Sequence, residues 1–172
     1  QNHGSLVHAI AWSFVWVLLL DVLVSFGFYA WLKSKAPALS KWMAGTRLLY
    51  SLILAVGIYD LFDAVPFPSE SDIQSYEALK HFHQVFSFGL ILFGVHLFLL
   101  GLLLLKNQNI PKILGILALF AGVCYSMVHL MPHLGETLAS LKPTAESILA
   151  LPMAAGELIL AFWMIFKGKR SL

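Results

Sequence analysis

The chain has 172 residues, 59% of them hydrophobic and 12% charged, with eleven basic and nine acidic side chains and a net charge of +2. A soluble domain carries about 25% charged residues, so a chain with a mean hydropathy of +0.82 cannot cover itself with polar groups and must face lipid. This excludes a soluble enzyme domain, a nucleic-acid binder with a broad basic face, and a disulfide scaffold, because the single Cys124 has no intrachain partner.

Five apolar runs follow in order: Ala9–Leu32, Trp42–Ala64, Phe82–Leu105, Ile110–Leu130 and Ile148–Phe166. Each suits a hydrocarbon core about 30 Å thick, and each is apolar on nearly every face, as lipid-exposed helices are. The expected fold is a single all-α domain over residues 1–172, a polytopic transmembrane helical bundle. Turn and cap signals separate the runs: Lys35-Ala36-Pro37 with Ser40, Pro66-Phe67-Pro68-Ser69, Asn107-Gln108-Asn109-Ile110-Pro111, and Leu141-Lys142-Pro143-Thr144. Ser71-Asp72-Ile73-Gln74 reads as a capping box, so the third helix is expected to start about three turns before its apolar part. No signal peptide is visible. The chain opens at Gln1, as a processed chain or a fragment would.

Connection charges predict the orientation. Lys33, Lys35 and Lys41, then Lys106 and Lys112, then Lys167, Lys169 and Arg170 fall on one side. Asp60, Asp63, Glu70, Asp72, Glu77 and Lys80, with His133, Glu136, Lys142 and Glu146, fall on the other. Cytoplasmic loops collect Lys and Arg, which places the amino terminus outside and the carboxyl terminus in the cytoplasm. Trp12, Trp31, Trp42 and Trp163 near the run ends read as interfacial anchors.

An ionisable group at the bilayer centre costs about 2.5–3.5 kcal/mol, so Asp21, Arg47, His96 and Glu157 need a reason. At about 1.5 Å of rise per residue, Asp21, His96 and Glu157 lie about 15–18 Å from Lys33, Lys106 and Lys167 respectively, and Arg47 about 9 Å from Lys41. Arg47 can snorkel to the near edge or reach up to pair with Asp21. Ser25, Tyr50 and Ser51 lie one turn away and are expected to complete the hydrogen bonds. Ala150, Ala154, Glu157 and Ala161 share a face, a small-residue stripe that invites a neighbouring helix. Pro152 removes a backbone hydrogen bond near Glu157. The plain reading is that these groups hold helices together; the functional one is a ligand, proton or ion site at the midplane.

A second group lies at the acid-rich end. His81, His83, His129 and His133 stand with Asp60, Asp63 and Met131 at similar height, a set whose donors suit copper or zinc. His83 and His129 alternatively suit a haem held between two helices. Histidine and acid are also ordinary at a water interface, and no CxxC or HExxH pattern is present.

The strings Phe93-Gly94-Val95-His96-Leu97-Phe98-Leu99-Leu100-Gly101, Ile110-Pro111-Lys112-Ile113-Leu114-Gly115 and Leu151-Pro152-Met153-Ala154-Ala155-Gly156-Glu157-Leu158 resemble the prokaryotic multi-spanning membrane family known as domain of unknown function 4386. The surroundings of Asp21 and Arg47-Leu48 are similar to it as well, so the four buried ionisable residues coincide with family motif positions and the outer histidines do not. The resemblance implies six spans, the first preceding Ala9, and brings no activity with it.

The reading that results is a multi-pass protein of a prokaryotic cytoplasmic (inner) membrane, non-enzymatic and without catalytic residues. It is read as a subunit or interaction protein whose polar cluster holds the bundle. The alternative is small-molecule, proton or ion binding at Asp21, Arg47, His96 and Glu157. A haem- or metal-dependent redox protein at the outer histidines is third. No cofactor is implied beyond that; the expected partners are the bilayer and other membrane subunits or further copies, and no nucleic acid.

Overall fold

The computed structural model describes residues 3–63 and 72–167. They form five helices: α1 (His3–Leu32), α2 (Pro37–Asp63), α3 (Asp72–Lys106), α4 (Lys112–Leu130) and α5 (Glu136–Lys167), with a 3-10 turn at Met131–His133. All five are long and apolar enough to cross a membrane. Helix is the form such sequences take in hydrocarbon, because each backbone donor and acceptor is satisfied within the segment.

The helices pack in chain order, α1 on α2, α2 on α3, α3 on α4 and α4 on α5, while α1 and α5 share no comparable interface. Half of the apolar window of α3 is buried, against 17% for α1 and for α5, so α3 is the axis and the two terminal helices are the outer staves. The bundle is therefore open along one side, between α1 and α5.

Glycine sets the tightest seam. Gly94 and Gly101 on α3 face Gly122 and Gly115 on α4, two antiparallel pairs seven residues apart. A Cβ at Gly94 would lie 2.6 Å from the Gly122 carbonyl oxygen, and one at Gly101 would lie 2.8 Å from that of Gly115. Such backbone approach is how helices gain dispersion contact where lipid is as apolar as leucine. The Ser126 hydroxyl donates to the Ile91 carbonyl across the same seam at 3.1 Å. The turn joining α3 and α4 is short: the Asn109 N–H donates to Asn107 Oδ1 at 3.1 Å, and the Lys112 ammonium donates to the Leu105 carbonyl at the end of α3.

Several expectations change at this level. The α3 start at Asp72 is as expected, although Ser71 and the Pro66–Ser69 connection lie outside the described residues. Leu141-Lys142-Pro143-Thr144 is not a connection: α5 begins at Glu136, behind Gly135 at φ 128°, and continues through Pro143 and Pro152. The small-residue stripe is also reassigned. Ala150, Ala154 and Ala161 are exposed, and the close approach of α5 to α4 is made by Gly156, whose Cβ would meet the Leu117 carbonyl oxygen at 3.1 Å.

Candidate functional site

Asp21, Arg47 and His96 come together from α1, α2 and α3. Arg47 reaches up instead of snorkelling down: its Nη2 pairs with Asp21 Oδ1, and its Nη1 lies 3.0 Å from His96 Nε2. On the other side of the imidazole, Nδ1 lies 2.9 Å from the Met43 carbonyl oxygen. A carbonyl only accepts, so Nδ1 carries the proton and Nε2 offers its lone pair to the guanidinium, a neutral tautomer that satisfies both contacts. His96 is fully buried between the rings of Phe93 and Phe28, and the guanidinium stands 5.3 Å over Phe93. The positive charge is thus balanced by Asp21 and held by charge-assisted hydrogen bonds.

The hydroxyl neighbours do other work. Ser25 donates across to the Ala44 carbonyl at 3.0 Å, joining α1 to α2, and Ser51 donates back to the Arg47 carbonyl at 3.0 Å. Neither completes the ionic group as expected; His96 does. Among the described residues Arg47 Nε is buried without a partner.

Glu157 stands apart from this unit. Among the described residues it shares no hydrogen bond with Asp21, Arg47 or His96, and its carboxyl faces Tyr125 on α4 with Arg47 and Asp21 beyond. It also lines a cavity of about 670 Å³ between the outer helices. Leu23, Gly27 and Phe28 of α1 and Leu158, Ala161 and Ile165 of α5 form its two sides, and Arg47 and Glu157 are its polar wall. A Cβ at Gly27 would meet nothing within 4 Å, as expected of a residue facing open space.

The outer histidines separate. His81 Nδ1 pairs with Asp60 Oδ2 at 2.9 Å and clasps α2 to α3. His83 is exposed, and His133 lies edge-on to the Phe88 ring. His129 is buried, with Nδ1 2.9 Å from the Ser87 hydroxyl, which itself accepts from the Lys142 ammonium at 2.7 Å. Ser87 accepts from Lys142 through one lone pair and keeps both its proton and its second lone pair for His129 Nδ1, so it links the ammonium to the imidazole in either neutral tautomer. Among the described residues no three His, Cys, Asp or Glu side chains converge as a metal site.

Ser87, Tyr125 and Lys142 were not singled out by sequence reasoning. Ser87 hides in an apolar run, and Lys142 falls in a stretch whose proline suggests a connection. One usable signal was spacing: His83 and Ser87 on α3, like Tyr125 and His129 on α4, are four residues apart and share a face.

An all-helical bundle with five membrane-length apolar helices, an internal ionic unit and a side cavity defines a helical protein of membrane type. The chain belongs to the family described as a domain of unknown function, DUF4386, whose model matches residues 1–168. It is similar to an uncharacterized protein of Archaeoglobus fulgidus, 28% identical over 154 residues that cover 90% of this chain and 80% of that protein. No solved structure matches the chain.

Proposed function

We propose that this is a non-enzymatic integral membrane protein that takes a small, largely apolar molecule from the bilayer into the cavity between α1 and α5. The observation that carries the reading is that cavity, apolar on its sides, polar at Arg47 and Glu157, and bordered by two helices that do not close on each other. Binding sites of this kind are mostly apolar with a few convergent polar groups, and an intramembrane acid is expensive unless it is used.

The four midplane residues then divide their tasks. Asp21, Arg47 and His96 bond to one another and hold α1, α2 and α3 together, the bundle-holding role; Glu157, unattached to them, serves the cavity. The proposal includes the orientation argued from the loop charges, amino terminus outside and carboxyl terminus cytoplasmic, in a prokaryotic inner membrane. It also includes association with other membrane subunits or further copies, checked by whether the protein purifies alone.

The test is photolabelling in bilayers with a neutral diazirine-bearing hydrocarbon. Labelling concentrated on Gly27, Leu158 and Ala161, and removed by a cavity-filling Gly27→Phe substitution, is expected. Uniform labelling of every lipid-facing helix, unchanged by Gly27→Phe, would overturn the reading.

A further inference from the structure

Arg47 has more donors than partners. A guanidinium carries five N–H groups, of which one on Nη2 goes to Asp21 and one on Nη1 to His96. Arg47 nevertheless forms part of the cavity wall. Nε is buried, so the donors left for the wall are the second N–H groups of Nη1 and Nη2, and their positive charge is already balanced by Asp21, a setting that favours a neutral acceptor over an anion. Glu157, beside it, can exchange a hydrogen bond with the same occupant, and an added cation would meet the Arg47 charge.

Position along the membrane narrows the occupant further. On α5 the cavity runs from Glu157 to Ile165, and on α1 from Leu23 to Phe28, both towards the basic end of the bundle. Its polar part is thus the deep part, about 15 Å from Lys167 by helix rise, and its apolar part lies nearer the surface. A phospholipid of that leaflet presents the opposite polarity, with its head at the surface and its chains at the midplane. A charged head group drawn down to Glu157 would also bear the cost of leaving water. An annular lipid in its normal orientation does not match the cavity.

Resting on the binding reading above, we propose that the occupant is a neutral, bilayer-dissolved carbonyl compound of the quinone class. Its carbonyl oxygen accepts from the Arg47 guanidinium beside Glu157, and its apolar tail lies between Phe28 and Ile165. No electron transfer is involved in this binding. Charge-assisted hydrogen bonds contribute about 1.5–3 kcal/mol, which corresponds to about a tenfold or greater preference for the carbonyl over an isosteric hydrocarbon.

The experiment titrates a decyl-substituted benzoquinone into the full chain in nanodiscs, reading the fluorescence of Trp163 and Trp31, which neighbour cavity residues Met164 and Phe28 in the chain and on the helix respectively. Saturable quenching is expected, with the corresponding decylbenzene competing at least about tenfold less well. Gly27→Phe should abolish saturable binding, and Arg47→Lys, which keeps the charge opposite Asp21 but not the guanidinium fork, should erase the preference for the quinone over decylbenzene. If decylbenzene binds as well as the quinone and Gly27→Phe blocks both, the carbonyl assignment fails while the cavity reading stands. Tighter binding of decanoate or decyltrimethylammonium likewise overturns neutrality alone. If no probe binds saturably, or Gly27→Phe changes nothing, the binding reading itself fails.

Discussion

Replacing Gly122 by alanine adds one methyl group where two backbones already touch. Its Cβ would lie 2.5 Å from the Phe98 backbone nitrogen, 2.6 Å from the Gly94 carbonyl oxygen and 3.0 Å from Phe98 Cα, whereas ordinary contact begins near 3.4 Å. All three obstacles are backbone, so no side chain can swing aside, and α3 and α4 must separate by about 0.9 Å, the difference between 3.4 and 2.5 Å. A gap of about 0.5–1 Å forfeits a quarter to a half of each dispersion contact across it, and overpacking of this kind costs about 1–3 kcal/mol. Alanine's helix propensity opposes this by up to about 1 kcal/mol. Gly27→Ala removes that complication, since it brings the same propensity gain into open space. Gly122→Ala is therefore expected to be less stable than Gly27→Ala by about 1–3 kcal/mol, read from reversible unfolding in mixed micelles against the mole fraction of denaturing detergent. Adding Gly94→Ala to Gly122→Ala should cost less than the two single effects together, because both open one seam. Equal stability of Gly122→Ala and Gly27→Ala would refute the assignment of this seam as the tightest contact in the bundle.

Three further outcomes are expected. Arg47→Met strands the Asp21 carboxylate and should destabilise by about 3–5 kcal/mol, whereas the Asp21→Asn/Arg47→Met double variant should recover much of that loss; an unrecovered double variant in the same unfolding assay would contradict the pairing. Ser25→Ala, which removes the hydroxyl bond from α1 to Ala44, should cost only about 0.6 kcal/mol, and a loss several times larger would show that Ser25 has a second role. Lys142→Met removes the donor that ties α5 to Ser87, so it should lower stability by about 1 kcal/mol and raise amide exchange in the first turns of α5 more than in α3. Unchanged exchange at Glu136–Ser147 would argue against that tie.

Composition was sufficient to anticipate five membrane-length apolar helices, and helix rise put Asp21, His96 and Glu157 at similar distances from the basic helix ends, because an apolar run of about twenty residues satisfies its backbone within itself as a helix and rises a fixed amount per residue. The same arithmetic left Arg47 two ways to point, and only the tertiary structure shows it turned towards Asp21 and His96. Partnering was not legible because helices apolar on every face carry no stripe to say which side packs. Steric fit decides instead, and it selected the glycines of α3 and α4 and Gly156 of α5 over the alanine stripe. Lys142 was misplaced for a related reason. Pro143 is the eighth residue of α5 and lies inside the helix, which runs on through it, so what looked like a connection carries the side chain that closes the Ser87–His129 contact. The cavity has no signature in sequence at all: it exists because the chain-order packing of α1 to α5 stops short of closing the ring, and that is a property of the assembled bundle.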